Sequence, residues 1–209
     1  REQARIALAA NEERYRSIVA NAGDGIFLVD PESLEFVEYN EAGCRGLGYA
    51  QDEFHDIRLS DIQSQIGPEE LRLMMNRILV DGSASFENRH RRKDGSIQIA
   101  HVSANRVTVG GRTLVLGVSS DITAARKSSE LVEAHFAEHW PVERYAEALN
   151  LTESRLNRMS QKGFGQSAFA LTQDRLLLAA RRKLIYTSTP VSQLAYELGF
   201  SDPAYFCRF

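Results

Sequence analysis

One sixteen-residue pattern occurs twice in the last third of this 209-residue chain, and it restricts the fold more than any other feature. Residues 141–156 read PVERYAEALNLTESRL, and residues 190–205 read PVSQLAYELGFSDPAY. At an offset of 49 the two copies align a proline, an alanine, a leucine, a turn residue and a hydroxyl residue. An internal repeat of this kind indicates that one small unit of structure is built twice.

Each copy predicts two helices joined by a sharp turn. Pro141 and Pro190 are expected at the first helical position, where the missing N–H of proline costs no hydrogen bond. Asn150 and Gly199 are expected in the left-handed conformation that ends a helix and redirects the chain. One copy alone would also fit an ordinary helical hairpin, but two matching copies are typical of a helix-turn-helix unit written twice.

The second helix of each copy is predicted from its first residues. Thr152 and Ser201 are expected to cap it, followed by an acidic residue that the helix dipole favours. Leu156 and Tyr205 are expected to pack it on the first helix. Apolar residues at helical spacing, without Gly or Pro, predict one long helix over residues 167–186 between the copies. Such an arrangement would present two reading helices on one side.

Positive charge is concentrated in the same part of the chain. The whole chain has a net charge of −3, whereas residues 152–183 hold seven basic and two acidic residues. On charge alone, a solvated helix face explains this segment well. Combined with the repeat, it indicates a surface that meets nucleic acid.

Residues from about 135 to 209 resemble the DNA-binding domain of the AraC/XylS family of bacterial transcription regulators. The resemblance is carried by LTESRLNRM (151–159), by Gly165 and Ser167, and by the segment from RLLLAARRK to SDPAYFCRF. HWPVERYA and SDPAYFCRF are most similar to regulators of hydroxybenzoate and hydroxyphenylacetate breakdown. The resemblance implies promoter double-stranded DNA and RNA polymerase as partners. It also implies a C-terminal truncation, because the family continues beyond the second reading helix.

Candidate DNA-binding residues are those on the first two turns of each reading helix, which enter the major groove in helix-turn-helix proteins. By resemblance, Arg158 is the main candidate for a base contact, with Arg155 and Lys162 assigned to phosphate. The second helix has few base-reading groups apart from Arg208, so shape and backbone contacts are expected there. The complete set is Ser154, Arg155, Asn157, Arg158, Gln161, Lys162, Pro203, Ala204, Cys207 and Arg208.

The front of the chain predicts a different architecture. Two short strands (23–30 and 34–40), two short helices (41–49 and 52–62), an amphipathic helix (68–82) and three strands joined by hairpin turns follow in order. This order resembles a PAS sensor domain. The resemblance is carried by Asp24-Gly25, Asn40, LGY (47–49), residues 92–95 and the closing Asp121-Ile122-Thr123.

The predicted fold class is therefore α+β, with a five-stranded antiparallel PAS sheet followed by an all-α domain. The expected order is an N-terminal helix (1–22), a PAS domain (23–123), a signalling linker helix (124–140) and a double helix-turn-helix domain (141–209). The resemblance to PAS domains implies a homodimer formed through that domain.

What the PAS domain binds stays open at this level. A small organic effector would lie against Phe27, Tyr39, Cys44, Met75, Phe86 and Val102, whereas a filled core would serve dimerisation alone. The cofactor is unknown. Flavin is disfavoured because Cys44 stands in only part of the expected motif, and haem because residues 68–80 contain no histidine.

The remaining histidines do not predict a metal site. His55, His90 and His101 are expected as polar surface residues. His135 and His139 stand four apart, a spacing that can bind a metal, but a third ligand is lacking and a packed or solvated helix is favoured.

The function class follows from these features. No phosphate loop, nucleophile elbow or carboxylate pair is present, so an enzyme is not expected. Cys44 and Cys207 are expected as free thiols of a reducing compartment, and no apolar run is long enough for a membrane span, which together predict the cytoplasm. The prediction is a one-component transcription regulator. The alternative is a PAS-mediated interaction module with a truncated, weakly DNA-binding remnant.

Overall fold

The computed structural model describes the backbone of residues 2–209 and the side chains of residues 10–209. The chain divides into two compact units, Arg1–Asp121 and Ile122–Phe209. Within the described residues, every helix is too short or too polar to cross a bilayer.

The first unit is a five-stranded antiparallel sheet with flanking helices, which confirms the predicted fold class. The spatial order of its strands is β2-β1-β5-β4-β3, with every neighbouring pair antiparallel. Its elements are α1 (Glu2–Ala20), β1 (Gly25–Val29), β2 (Phe36–Tyr39), α2 (Glu41–Gly46), a 3-10 turn (Glu53–Asp56), α3 (Pro68–Asp81), β3 (Ser83–Arg91), β4 (Ile97–Val109) and β5 (Arg112–Asp121).

The predicted helix over 52–62 is wrong beyond its first turn. Only the 3-10 turn Glu53–Asp56 forms, because the residues after it make isolated turns and also bond to other segments, such as the N–H of Leu59 to the carbonyl of Leu34. Arg58 forms a β-bridge with Glu35, and Gln63 forms one with His90. These bridges carry the segment into the core beside the sheet.

Helix α3 closes the concave face of the sheet. Pro68 starts it at the first turn, and Gly82 ends it in the left-handed conformation with φ 87°. Leu71, Met75 and Ile78 lie at helical spacing and are buried against the sheet. The amphipathic pattern therefore seats this helix over the inner sheet surface.

A single buried amide joins three elements of the first unit. The Oδ1 atom of Asn40 accepts from the backbone N–H of Ile26 at 2.9 Å and of Gly43 at 3.0 Å. Its Nδ2 atom donates to the carbonyls of Val19 at 3.1 Å and Asp24 at 2.9 Å. Asn40 is 3% exposed, so these four bonds satisfy the whole side chain away from water.

We predict that Asn40→Asp destabilises the first unit by roughly 3 kcal/mol, because a carboxylate cannot donate to the two carbonyls and would repel them. Denaturant unfolding followed by circular dichroism would measure the change. Asn76→Asp, on the exposed side of α3, is the matched control and should change the stability by less than about 0.5 kcal/mol. Equal losses in both variants would contradict the structural role of Asn40.

The second unit is entirely helical outside its turns. It contains α4 (Thr123–His135), a 3-10 turn (Phe136–Glu138), α5 (Val142–Ala148), α6 (Glu153–Phe164), α7 (Ala168–Tyr186), α8 (Val191–Glu197) and α9 (Pro203–Arg208). The single long helix expected over 167–186 is confirmed as α7. The segment expected as a signalling linker (124–140) is helical only to His135 and packs against α6 and α7 inside this unit.

The repeat is confirmed with one change of register. Helices α5 and α8 begin 49 positions apart, but α6 and α9 begin 50 apart, because the second turn has one more residue. The cap of α9 is therefore Asp202, whose side chain accepts from the N–H of Ala204, and not Ser201 as predicted. Phe206 is the buried anchor of α9, whereas Tyr205, expected in that role, is 58% exposed.

Both helix-turn-helix turns have the predicted backbone. Asn150 has φ 54° and Gly199 has φ 80°. A Cβ atom at Gly199 would lie 1.8 Å from the carbonyl oxygen of Ala137, so the second turn excludes every residue except glycine. Pro141 and Pro190 stand at the cap positions, one residue earlier than predicted.

Candidate nucleic-acid interface and sensor cavity

One side of helix α6 packs against the rest of the second unit, and its opposite side is exposed to solvent. Its cap is Thr152, whose hydroxyl accepts from the N–H of Arg155 at 3.3 Å. Leu156 and Ser160 are fully buried on the inner side. The opposite side exposes the predicted reading residues Ser154, Arg155, Arg158, Gln161 and Lys162.

Asn157 is held differently from the other predicted residues of α6. It is half-buried, and its Oδ1 atom accepts from the N–H of Ala168 at 3.1 Å. That N–H belongs to the first turn of α7, where Ser167 caps the N–H of Ala170 at 3.2 Å. The amide of Asn157 therefore supplies a second cap for α7, which ties α6 to the long helix.

The arginines of the reading surfaces are free of acidic partners within the described residues. Arg155, Arg158 and Arg208 are exposed and form no ion pair there. By contrast, Arg175 pairs with Glu133, and Lys183 pairs with Glu197. Internal carboxylates thus neutralise two basic residues of α7, and the positive charge left on α6 and α9 faces outward.

Helix α9 presents a smaller surface in the same register. At the offset of 50, Arg208 occupies the place of Arg158, and Tyr205 occupies the place of Arg155. Ala204 and Cys207 are also exposed, and Pro203 is half-exposed. Tyr205 is the candidate contact residue that the sequence reasoning missed. The pair Asp202-Pro203 could have revealed it, since Pro prefers the first helical position directly after a cap.

Helix α4 contacts the back of α6 through small side chains. A Cβ atom at Gly163 would lie 2.7 Å from the Cβ of Ala125, so the two backbones approach more closely than larger residues permit. Ser128 and Ser160 are also fully buried. Arg175, paired with Glu133 on α4, lies 4.2 Å over the ring of Phe136 and fastens α7 to the same region.

The two linker histidines hold helices and turns in place. His135 stacks on Trp140 with ring centroids 3.9 Å apart. His139 lies beyond the end of α4 with φ 52°, and its Nε2 atom is 2.8 Å from the carbonyl oxygen of Leu198. The described residues contain no group of three side chains that could hold a metal ion.

The first unit contains a cavity of ≈ 50 Å³ between the sheet and α3. Four of the six predicted pocket residues line it, namely Phe27, Met75, Phe86 and Val102. Tyr39 and Cys44 do not. The ring of Tyr39 packs on Phe54 instead. Cys44 is buried in the same group of apolar side chains as Phe54, and this burial raises the pKa of its thiol to about 11.

The polar residues of this cavity were not anticipated. Gln63, Asn88, His90 and Ser119 line it. His90 is only 4% exposed, so its expected place on the surface is wrong. Strand alternation could have found it, because Phe86, Asn88 and His90 share one face of β3. His55 and His101 are exposed, and His101 Nε2 is 3.0 Å from the hydroxyl of Ser85.

Comparisons with known proteins identify both units. Residues 23–124 match the PAS domain family, and residues 145–209 match a helix-turn-helix domain of AraC type. The chain carries a PAS domain followed by a helix-turn-helix domain. These are sensor and DNA-binding domain types.

Curated relatives match one half of the chain or the other. The methyl sulfide methyltransferase-associated sensor of Methanosarcina acetivorans is 29% identical over 126 residues, which are 60% of this chain and 13% of the relative. The lactose operon transcription activator of Staphylococcus xylosus is 28% identical over 79 residues, which are 38% of this chain and 28% of the relative. The chain therefore spans between about an eighth and slightly more than a quarter of the length of these relatives.

A solved structure supports the fold of the first unit. The PAS domain of an HTR-like protein from Haloarcula marismortui superposes with a TM-score of 0.54 at 24% identity. The match covers 58% of this chain and 99% of that domain. This likeness concerns the fold alone.

We predict that Asn157→Ala acts on stability more than on DNA sequence preference. Loss of the cap on α7 should lower the free energy of unfolding by about 1 kcal/mol. Thermal or urea unfolding would measure this, with Ser192→Ala on the exposed side of α8 as the control. A changed DNA preference without loss of stability would instead favour base contact by Asn157.

Proposed function

We propose that this chain is a transcription regulator whose PAS domain controls promoter recognition by α6 and α9. The observation that carries the proposal is the placement of Arg155, Arg158 and Arg208. All three are exposed on capped reading helices and lack internal acidic partners within the described residues. Arginine is suited both to guanine edges and to phosphates.

The resemblance to AraC/XylS regulators supports promoter DNA and RNA polymerase as partners, and it supports a location in the cytoplasm beside the target. The resemblance to PAS domains supports a homodimer. The two domain types favour a sensor and DNA-binding protein over an enzyme. The alternative, a PAS interaction module without useful DNA binding, is the outcome that the experiment below is designed to expose.

The route of control runs along α4. Strand β5 ends at Asp121 and α4 begins at Thr123, so a single residue separates the PAS sheet from the helix. Helix α4 in turn contacts α6 directly at Ala125 and Gly163. A shift of β5 that moves α4 would therefore act on the backbone of the first reading helix, and control would require that this helix has a second arrangement when α4 moves.

We predict that Arg158→Ala weakens specific DNA binding by about 10- to 100-fold and relaxes the preference at one base position. Genomic fragments bound at physiological salt would be sequenced, and affinities for a selected site measured across salt concentrations. Arg155→Ala should weaken all sequences similarly and reduce the salt slope by about one.

Arg77→Ala is the matched control, because Arg77 is an exposed arginine on α3 of the first unit. It should leave DNA binding unchanged. Absence of sequence enrichment with the unaltered protein would overturn the regulator proposal in favour of the interaction module. An equal loss of DNA affinity in Arg158→Ala, Arg155→Ala and Arg77→Ala would show that net charge, and not the reading helices, determines DNA binding.

We predict that Gly163→Ala separates α4 from α6. The added methyl group meets the Cβ of Ala125, and overpacking of this kind costs roughly 1–3 kcal/mol of stability. The double variant Ala125→Gly, Gly163→Ala restores the space. Its loss of unfolding free energy should therefore be smaller than the sum of the losses in the two single variants. A double-mutant cycle by urea unfolding measures this coupling, and strictly additive effects would argue against direct contact.

A further inference from the structure

The cavity of the PAS domain has an apolar body and one polar end. Its apolar wall is formed by core side chains of the first unit, including Phe27, Phe86 and Val115. Gln63, Asn88 and His90 lie together at the polar end, and Ser119 also lines the cavity. Among the described residues the lining contains no Lys, Arg, Asp or Glu, so it offers no counter-charge to an ionised ligand.

Most hydrogen-bonding groups at the polar end already have partners. Asn88 Nδ2 donates to Gln63 Oε1 at 2.9 Å and lies 3.2 Å from His90 Nε2. Gln63 Nε2 donates to the carbonyl of Leu59 at 3.2 Å. Asn88 Oδ1 accepts from the N–H of Arg89 at 2.8 Å. The amides are thus fixed in orientation before any ligand arrives.

His90 is the exception at this end of the cavity. Burial lowers its pKa to about 4, with a smaller opposing effect of the Gln98 side chain, so the ring is neutral at physiological pH. A neutral imidazole has one N–H, and the amide of Asn88 requires Nε2 as an acceptor, which leaves the proton on Nδ1. Nδ1 is buried and has no hydrogen bond of acceptable geometry to any described residue, although Gln98 is close enough to affect the ring.

We propose that this cavity binds a small uncharged molecule whose oxygen accepts a hydrogen bond from Nδ1 of His90. The proposal rests on the sensor function given above and names the chemistry of its signal. A buried donor without a partner is unfavourable, and an oxygen acceptor in the cavity removes that penalty. A carboxylate would enter without a counter-charge and is therefore excluded, which separates this site from an effector of the hydroxybenzoate type.

The size of the cavity limits the ligand further. A volume of ≈ 50 Å³ accommodates roughly three to five waters, since one water needs about 10–15 Å³ of such space. Met74 and Met75 form part of the wall, and methionine side chains adapt to irregular shapes. Acetone, with four heavy atoms, matches both this volume and the acceptor, whereas a six-membered ring exceeds the volume, since a cavity of about 150 Å³ is the size that holds benzene.

The test uses the full 209-residue chain labelled with ¹⁵N in its histidines and titrated with acetone. We expect a saturable shift of the His90 Nδ1 resonance at millimolar acetone, with His101 unchanged as an internal reference. Acetate at neutral pH, which has the size of acetone and a negative charge, should produce no such shift. Comparison with the spectra of His90→Leu and His90→Gln assigns the resonance, so the assignment does not depend on one variant alone.

Variants then test the contact itself. His90→Leu should bind acetone about tenfold more weakly, as expected for loss of one buried hydrogen bond. His101→Leu, on the exposed face of β4, should bind as the parent does. If His90→Leu fails to fold, the shift at Nδ1 in the unaltered protein still decides the question.

The possible outcomes test the ligand class and the regulator proposal separately. A chain that selects DNA but shows no saturable ketone shift, or that binds the carboxylate equally well, would overturn the ligand class and leave the regulator proposal intact. A chain that binds ketone through His90 but selects no DNA would retain the ligand class and overturn the regulator. An Nδ1 resonance that no probe shifts would end the proposal.

Discussion

The close approach of α4 to α6 is the constraint on which the DNA-reading half depends. With Ala at 125, a Cβ atom at 163 would lie 2.7 Å from it, so one of these two positions must be glycine, and Ser128 and Ser160 nearby are small and buried as well. One residue separates α4 from the last strand of the PAS sheet, although α4 belongs to the second unit. The proposed route of control therefore passes through α4, because a movement of this helix would change its packing on α6.

Local chemistry made much of the fold predictable from the sequence. The left-handed turns at Asn150 and Gly199, the Thr152 cap and the limits of α3 follow from rules that act within a few residues. The change of register in the second repeat had the same kind of signal, since Asp202 before a proline marks a cap. The alignment at a constant offset concealed it, because it assumed that both turns have equal length.

Contacts between residues that are distant in the sequence determine the features that could not be predicted. Nothing in the letters around Asn157 shows that its amide caps a different helix, because its partner lies eleven residues later across a turn. The pattern of α4 predicts a helix but does not say that its buried face meets Gly163. For the cavity, strand alternation would have placed His90 inward, but its lack of a partner at Nδ1 depends on the positions of Asn88, Gln63 and Gln98 together.

The cavity of the PAS domain and the reading helices α6 and α9 differ in charge, because the cavity residues are buried and the arginines of the helices are exposed. Burial keeps the one titratable side chain of the described cavity lining, His90, neutral, so the proposed recognition of a ligand would depend on a hydrogen bond and on shape. Arg155, Arg158 and Arg208 are exposed and have no acidic partner among the described residues, so the proposed contacts with phosphates and base edges would depend on salt. A neutral signal can therefore act on a charged interface only through the backbone. In this chain the backbone path from β5 through α4 to Gly163 is short, since α4 starts two residues after β5 ends and Ala125 lies in its first turn.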